Sequence, residues 1–188
     1  KLMVESLGRP LYDKLVGRLV ELTGKLVIGD PTEKGVYLGP VANGNSYKQF
    51  KQFTEEISDA GRFLTGGKVL TEGAYGKGFF CQPTLAAGIP LQHRLWKHEM
   101  FLPITFVHPV GSLDEAMRLA NDVDYGLTAG FYGSEKEAAW FFENIQAGVT
   151  YANRPQGATT GAWPGFQPFG GWKGSGSTGK NSGGHYYL

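Results

Sequence analysis

The sequence predicts an α/β fold in which amphipathic helices cover a layered parallel sheet. Three observations indicate this class. Leucine and aromatic residues recur at helical spacing in two segments near the start of the chain. Short apolar runs typical of strands come next, and strand-like and helix-like segments alternate after residue 104. A strand, helix, strand order predicts neighbouring parallel strands joined by right-handed crossovers.

Two helices are predicted in the first third of the chain. The first follows Pro10, a residue tolerated in a first helical turn, and ends near Gly24. The second runs from Ser46 to Gly61, with apolar side chains on one face and charged side chains on the other. Both patterns indicate helices that pack one face against a core.

The middle of the chain predicts short strands and then a regular alternation. Glycines break the segment 62–85, leaving strand candidates of a few residues each. Longer strands are expected at 104–110, 127–133 and 149–152. The two helices between them should each begin with a capping box, at Ser112 and at Ser134, because each serine is followed three residues later by glutamate.

Composition excludes several classes of partner. The chain has 188 residues, 41% hydrophobic and 19% charged, which suits one globular domain. The net charge is +1 with no basic cluster, so we expect no nucleic-acid or membrane partner. The only cysteine, Cys81, lies among strand-type aromatics and indicates a packed structural thiol in a reducing compartment. Four histidines without metal-ligand spacing predict no metal site.

The glycine-rich C-terminal region predicts a long loop, since glycine disfavours helices and central strands. Within it, Gly174–Lys180 has the spacing of a phosphate-binding loop. However, Asn181 stands where a serine or threonine should bind magnesium, and no strand precedes the segment. A nucleotide hydrolase is therefore a minor alternative, which would require ATP binding that is lost on Lys180→Ala.

Four phrases together carry a more specific signal: GDP with GP at 29–40, HEMFLPI at 98–104, NDVDYGLTAG at 121–130, and the stretch from YANR to PFGGWKGSG at 151–176. In order and spacing they resemble the aldehyde dehydrogenase superfamily, and the resemblance covers essentially the whole chain. The NR, TGA, QPFGG and YYL segments look most like its 1-pyrroline-5-carboxylate dehydrogenase branch, which oxidises glutamate γ-semialdehyde. The resemblance implies that residues 1–188 are a truncated C-terminal part of the catalytic domain, without the N-terminal dinucleotide-binding domain.

The resemblance also implies site residues. Glu99 matches the glutamate that binds the nicotinamide ribose hydroxyls of NAD, or of NADP, and Phe101 matches an aromatic packed near the nicotinamide. The structural alternative for the pair is a surface glutamate and a core phenylalanine. Leu102 replaces a glycine of the family pattern, so we expect a different loop here if that glycine served a positive φ or a close approach to the cofactor.

On the substrate side, the backbone amides of Gly161 and Ala162 match a loop that holds the substrate α-carboxylate, and Phe169 matches an aromatic that lines the aldehyde pocket. The structural alternative is a turn that is rich in glycine for conformational reasons. Extra residues between Arg154 and Thr160 leave the path of this loop open.

Family chemistry uses a cysteine nucleophile, NAD(P) as hydride acceptor and a glutamate general base. None of these catalytic residues has a match in this chain, so the isolated chain is expected to be inactive and to bind NAD weakly. The parent protein is expected to be a cytoplasmic homo-oligomer, or a mitochondrial-matrix one in a eukaryote, acting on a small aldehyde. A noncatalytic structural or assembly module of the same fold is the alternative.

Overall fold

The computed structural model of this chain describes residues 2–5, 10–154 and 170–176. They fall into two compact units, Lys1–Ser112 and Leu113–Leu188. In chain order the helices and strands are β1 (Leu2–Glu5), α1 (Pro10–Gly24), α2 (Gly44–Ala60), β2 (Arg62–Thr65), β3 (Val69–Leu70), β4 (Phe80–Cys81), β5 (Thr84–Ala87), β6 (Ile104–Val110), α3 (Leu113–Asn121), β7 (Tyr125–Gly126), β8 (Thr128–Phe131), α4 (Glu135–Asn144), β9 (Val149–Ala152) and β10 (Trp172–Lys173). Short 3-10 turns lie at Gly73–Lys77 and Arg94–Trp96.

The first unit contains a four-stranded sheet in the order β1, β6, β5, β2. β6 pairs in parallel with both β1 and β5, and β2 pairs antiparallel to β5. The two-stranded ribbon of β3 and β4 forms separately. β1 was not among the predicted strands, because four residues at the start of a chain show no measurable periodicity.

Both helices predicted in this unit are confirmed. α2 begins after Asn43, whose side chain accepts a hydrogen bond from the Ser46 amide at 2.9 Å and so satisfies one free helix N–H. Its buried face carries Phe50, Phe53 and Ile57. The helix thereby supplies part of the apolar core that supports β5 and β6. The buried members of this core are Phe53, Ile57, Ala86, Ile89, Leu95, Trp96 and Phe106.

In the second unit β8 and β9 pair in parallel across α4, as the sequence predicts for this part of the chain. Ser134 and Glu137 form the expected capping box: the Ser134 amide donates to Glu137 Oε2 at 2.8 Å, and the Glu137 amide donates to Ser134 Oγ. These hydrogen bonds keep the pKa of Glu137 below its usual range, with the Ser134 hydroxyl as the main cause. α4 packs Phe141 and Ile145 into a small core of its own.

One feature of the predicted sheet needs correction. The alternation of 104–110, 127–133 and 149–152 suggested one parallel sheet, but β6 and the β8–β9 pair belong to different sheets. The physical reason is that β1 and β5 occupy both edges of β6, so no hydrogen-bonding edge remains for β8.

α3 begins at Leu113, beside the predicted cap Ser112. None of the described helices combines the length and the apolar character needed to cross a bilayer.

Candidate functional site

The loop 99–103 leads into β6, and its side chains alternate between the core and solvent. Met100 and Leu102 pack against the core of the first unit. Phe101, between them, is 88% exposed, and Glu99 is exposed as well. Phe101 reaches this position because its backbone has a φ of 52°, in the left-handed region that costs an L-residue about 1–2 kcal/mol. The predicted alternative of a core phenylalanine is therefore wrong.

The Leu102 replacement has a structural explanation. The positive φ falls on Phe101 rather than on Leu102, so a glycine at 102 is not required for backbone conformation. The larger side chain instead adds apolar contact with the core. Leu102 also accepts a hydrogen bond from the Ile104 amide at 2.7 Å, and Pro103 accepts one from the Thr84 amide at 2.8 Å. The loop is thus attached to the edge of β5 while it presents Phe101 outward.

Phe101 lines an open cleft of about 420 Å³ in the first unit. One wall is the segment 101–103 and the other is Leu38–Ala42, which includes the GP dipeptide at 39–40. All the lining residues are apolar. A flat aromatic group could lie in this cleft with one face on a ring, and an exposed carboxylate two residues away could accept hydrogen bonds from hydroxyls.

The second wall of the cleft is fixed by a turn that the sequence phrase GDP encodes. Asp30 Oδ1 accepts hydrogen bonds from the Thr32 amide at 2.9 Å and from the Thr32 hydroxyl at 2.8 Å, an Asx turn that lowers the pKa of Asp30. The Gly29 amide then donates to the Leu38 carbonyl at 3.1 Å. These bonds return the chain to Leu38, where the cleft begins.

In the second unit the carboxyl ends of β8 and β9 carry a polar cluster, at the sheet edge where ligands of parallel sheets bind. Asn153 bridges to Gly133, accepting from its amide at 3.0 Å and donating to its carbonyl at 2.9 Å. The Tyr132 hydroxyl donates to the Arg154 carbonyl, and the Arg154 guanidinium lies 5.8 Å from the centre of the Tyr151 ring. Burial, followed by the neighbouring Tyr132, raises the pKa of Tyr151.

The phrase NDVDYG has a structural role in the second unit. Asn121 Nδ2 donates to the Asn144 carbonyl at 2.9 Å, and Asn121 Oδ1 accepts from the Gln146 amide at 2.9 Å, which ties the end of α3 to the end of α4. The Lys173 ammonium donates to the Asn121 carbonyl. A single asparagine therefore connects three segments that are far apart in sequence.

Gly126, Gly148 and Gly170 of the second unit pack backbone against backbone. The Gly148 amide donates to the Gly126 carbonyl at 3.0 Å, and the Gly126 amide donates to Ser175 Oγ at 3.0 Å. A Cβ atom built on Gly148 would lie 1.8 Å from the carbonyl oxygen of Gly170. Part of the region predicted to be a loop is thus a strand, β10, held against β7. A two-residue strand beside glycines gives no periodicity by which the sequence could reveal it.

Other predicted site residues are placed as follows. Gly161, Ala162 and Phe169 lie outside the described residues, as does most of the segment Gly174–Lys180. Cys81 is free and 1% exposed in β4, and burial raises the pKa of its thiol to about 11. This agrees with a packed structural cysteine. Among residues 2–5, 10–154 and 170–176, no three His, Cys, Asp or Glu side chains come together as a metal site would require.

The chain belongs to the aldehyde dehydrogenase family, whose profile matches residues 5–188. It is 36% identical over 181 residues to 1-pyrroline-5-carboxylate dehydrogenase of Geobacillus kaustophilus and 34% identical to that of Bacillus subtilis, in each case covering 95% of this chain and 33% of the relative. The chain therefore spans about a third of the length of these relatives.

Solved structures agree. A 1-pyrroline-5-carboxylate dehydrogenase from Thermus with bound NAD superposes with a TM-score of 0.83 at 32% identity, covering 96% of this chain and 33% of that chain. An aldehyde dehydrogenase of Mycobacterium tuberculosis complexed with NAD+ has a TM-score of 0.82 at 26% identity, covering 97% and 36%. The α/β fold predicted from the sequence is thus confirmed as that of this family.

Proposed function

We propose that this chain forms the cofactor-facing and substrate-facing part of the catalytic domain of an aldehyde dehydrogenase that oxidises glutamate γ-semialdehyde with NAD, or with NADP. The observation that carries the proposal is the backbone of Phe101. Phe101 lies between two core residues, has a backbone with a positive φ and is 88% exposed. This arrangement costs folding free energy and gains little burial in return. Such strain is typical of residues that are retained for a binding contact.

The residues present fit a nicotinamide nucleotide. The exposed Glu99 carboxylate is suited to accept hydrogen bonds from the two vicinal ribose hydroxyls, and the Phe101 ring offers an apolar face beside the open cleft. When bound, the cofactor supplies a hydride acceptor. The role of this chain's residues is to bind and orient the sugar and to cover one face of the nicotinamide site. The NAD-bound relatives support this assignment.

The substrate assignment is drawn from the names of the relatives. The proposed contacts are the backbone amides of Gly161 and Ala162 with the α-carboxylate, and the Phe169 ring with the aldehyde chain. These remain predictions, as do the cytoplasmic or mitochondrial-matrix location and the homo-oligomeric state of the parent enzyme.

The proposal for the isolated chain is that it does not oxidise aldehydes. Its only cysteine is buried and its pKa is raised to about 11, so little nucleophilic thiolate forms near neutral pH. The relatives are about three times as long, and we assign the nucleophile, the general base and most cofactor contacts to the remainder of such a protein.

A turnover assay with glutamate γ-semialdehyde and NAD tests this. We expect no NADH formation by the 188-residue chain and weak or absent NAD binding by calorimetry. Turnover that Cys81→Ser abolishes, or micromolar NAD affinity, would contradict the proposal. In a full-length enzyme, Glu99→Gln is expected to raise KM for NAD about tenfold through loss of charge-assisted hydrogen bonds, with Glu72→Gln, an exposed glutamate remote in sequence, as the control.

A further inference from the structure

The 3-10 turn Arg94–Trp96, which precedes the 99–103 loop, is held by α2. Arg94 Nε donates to Glu56 Oε2 at 3.0 Å and Nη2 donates to Oε1, a bidentate pair. The same guanidinium lies 5.6 Å from the centre of the Phe53 ring. The His98 ring also contacts Phe53, with 5.3 Å between ring centres and a 54° tilt.

Two other side chains keep the turn folded without this pair. Leu95 is 2% exposed and Trp96 is 6% exposed, both within the core of the first unit. Trp96 Nε1 also donates to the Ile89 carbonyl at 3.1 Å. By contrast, the side chains of Arg94 and Glu56 are 56% and 31% exposed, and exposed ion pairs add little to overall stability. The Arg94–Glu56 pair is therefore expected to contribute little to the stability of the chain.

Its location suggests another role. Phe53 is contacted both by the guanidinium of Arg94 and by the ring of His98, and His98 is bonded directly to Glu99 in sequence. The amide of His98 donates to the Arg94 carbonyl at 3.1 Å. The guanidinium, which is planar and fixed by two hydrogen bonds, and the His98 ring therefore pack on the same buried phenylalanine, so that a shift of Arg94 changes the surroundings of His98.

We infer that Glu56 and Arg94 are positioning residues that act through Phe53 and His98 to fix the orientation of Glu99 for the ribose of the cofactor. The inference rests on the proposed function for the role of Glu99, but the ordering of His98 is independent of it. Neither residue touches the cofactor in this account. Lysine at 94 would keep the charge and lose the planar, bidentate geometry.

The first test is made on the 188-residue chain without cofactor, using Arg94→Lys and Glu56→Gln. We expect the His98 ring proton resonances to lose the shift caused by the Phe53 ring, and the His98 amide to exchange about tenfold faster, with the urea midpoint unchanged. The matched control is Arg18→Lys, which alters the exposed Arg18–Glu21 pair on α1 and should leave His98 unaffected.

Two results of this first test would overturn the inference: an unchanged His98 signal in both variants, or a change that only follows a loss of global stability. A second test uses a full-length enzyme. There Arg94→Lys is expected to raise KM for NAD about three- to tenfold and to leave kcat within about twofold, because the variant weakens cofactor binding and leaves the chemical step unchanged. If Glu99→Gln raises KM and Arg94→Lys does not, the positioning role is wrong. If neither variant changes KM, the proposed function of Glu99 is wrong, and the His98 signals still decide whether the pair orders the loop.

Discussion

Replacing Phe101 with glycine is expected to stabilise the chain, although it removes the largest exposed side chain of the 99–103 loop. A left-handed φ of 52° costs a non-glycine residue about 1–2 kcal/mol, and glycine adopts it without that cost. Because the side chain is 88% exposed, its removal forfeits little burial. The greater backbone entropy of unfolded glycine offsets about 0.5–1 kcal/mol of this gain.

The middle of the first range less the middle of the second leaves a net gain of about 0.75 kcal/mol, which corresponds to a rise in Tm of roughly 1.5–3 °C for a chain of this size. Phe101→Ala is the matched control, since alanine also removes the ring but retains the Cβ that makes this backbone unfavourable. Urea denaturation and calorimetry of both variants give the comparison. If glycine is no more stable than alanine at this position, or if it destabilises the chain, the strain at Phe101 is not real and the argument for a binding contact fails.

Three further outcomes are expected. The buried thiol of Cys81, with its pKa raised to about 11, should react with iodoacetamide at about pH 8 only after unfolding in urea, and rapid labelling of the folded chain would refute its packed role. Gly148→Ala should destabilise the chain by about 1–3 kcal/mol, because its Cβ would lie 1.8 Å from a backbone oxygen. Gly17→Ala in α1 is the control and should stabilise the chain, because open space surrounds that position. Equal urea midpoints for the two variants would contradict the close packing at Gly148. Ser134 lowers the pKa of Glu137. The Glu137 carboxylate therefore contributes to stability above the ordinary glutamate range, and this contribution is lost as the pH falls through the lowered value. Glu137→Gln should accordingly flatten the dependence of the urea midpoint on pH between about pH 5 and 3.

Local structure was predictable where the sequence carries a local signal. The apolar face of α2, with Phe50, Phe53 and Ile57, has helical spacing that needs no knowledge of the rest of the chain. The capping box at Ser134 likewise depends only on residues within one turn. Long-range pairing was not predictable in this way. β6 shows the apolar run of a strand, but nothing within it indicates that β1 and β5 occupy its two edges.

For the candidate site, the resemblance proposes residues whose roles stay predictions, and it leaves their geometry open. The resemblance indicated Glu99 and Phe101, yet the alternative of a core phenylalanine was open until the structure placed that ring in solvent. A bulky residue with a positive φ is uncommon enough that sequence rules assign it to glycine, which is why the absence of glycine at Leu102 suggested a changed loop. The support from Arg94 and Glu56 joins residues 38 positions apart and has no sequence signature.

The proposed role of this chain is to present Glu99 and Phe101 to a nicotinamide nucleotide. The most direct measurement is a crystal structure of a full-length enzyme containing this segment, determined with NAD bound. We expect the Glu99 carboxylate oxygens within about 3.2 Å of the hydroxyls of the nicotinamide ribose, with the Phe101 ring in contact with the nicotinamide side of the cofactor. A cofactor bound elsewhere, with Glu99 facing solvent beyond about 5 Å from any ribose hydroxyl, would contradict the account.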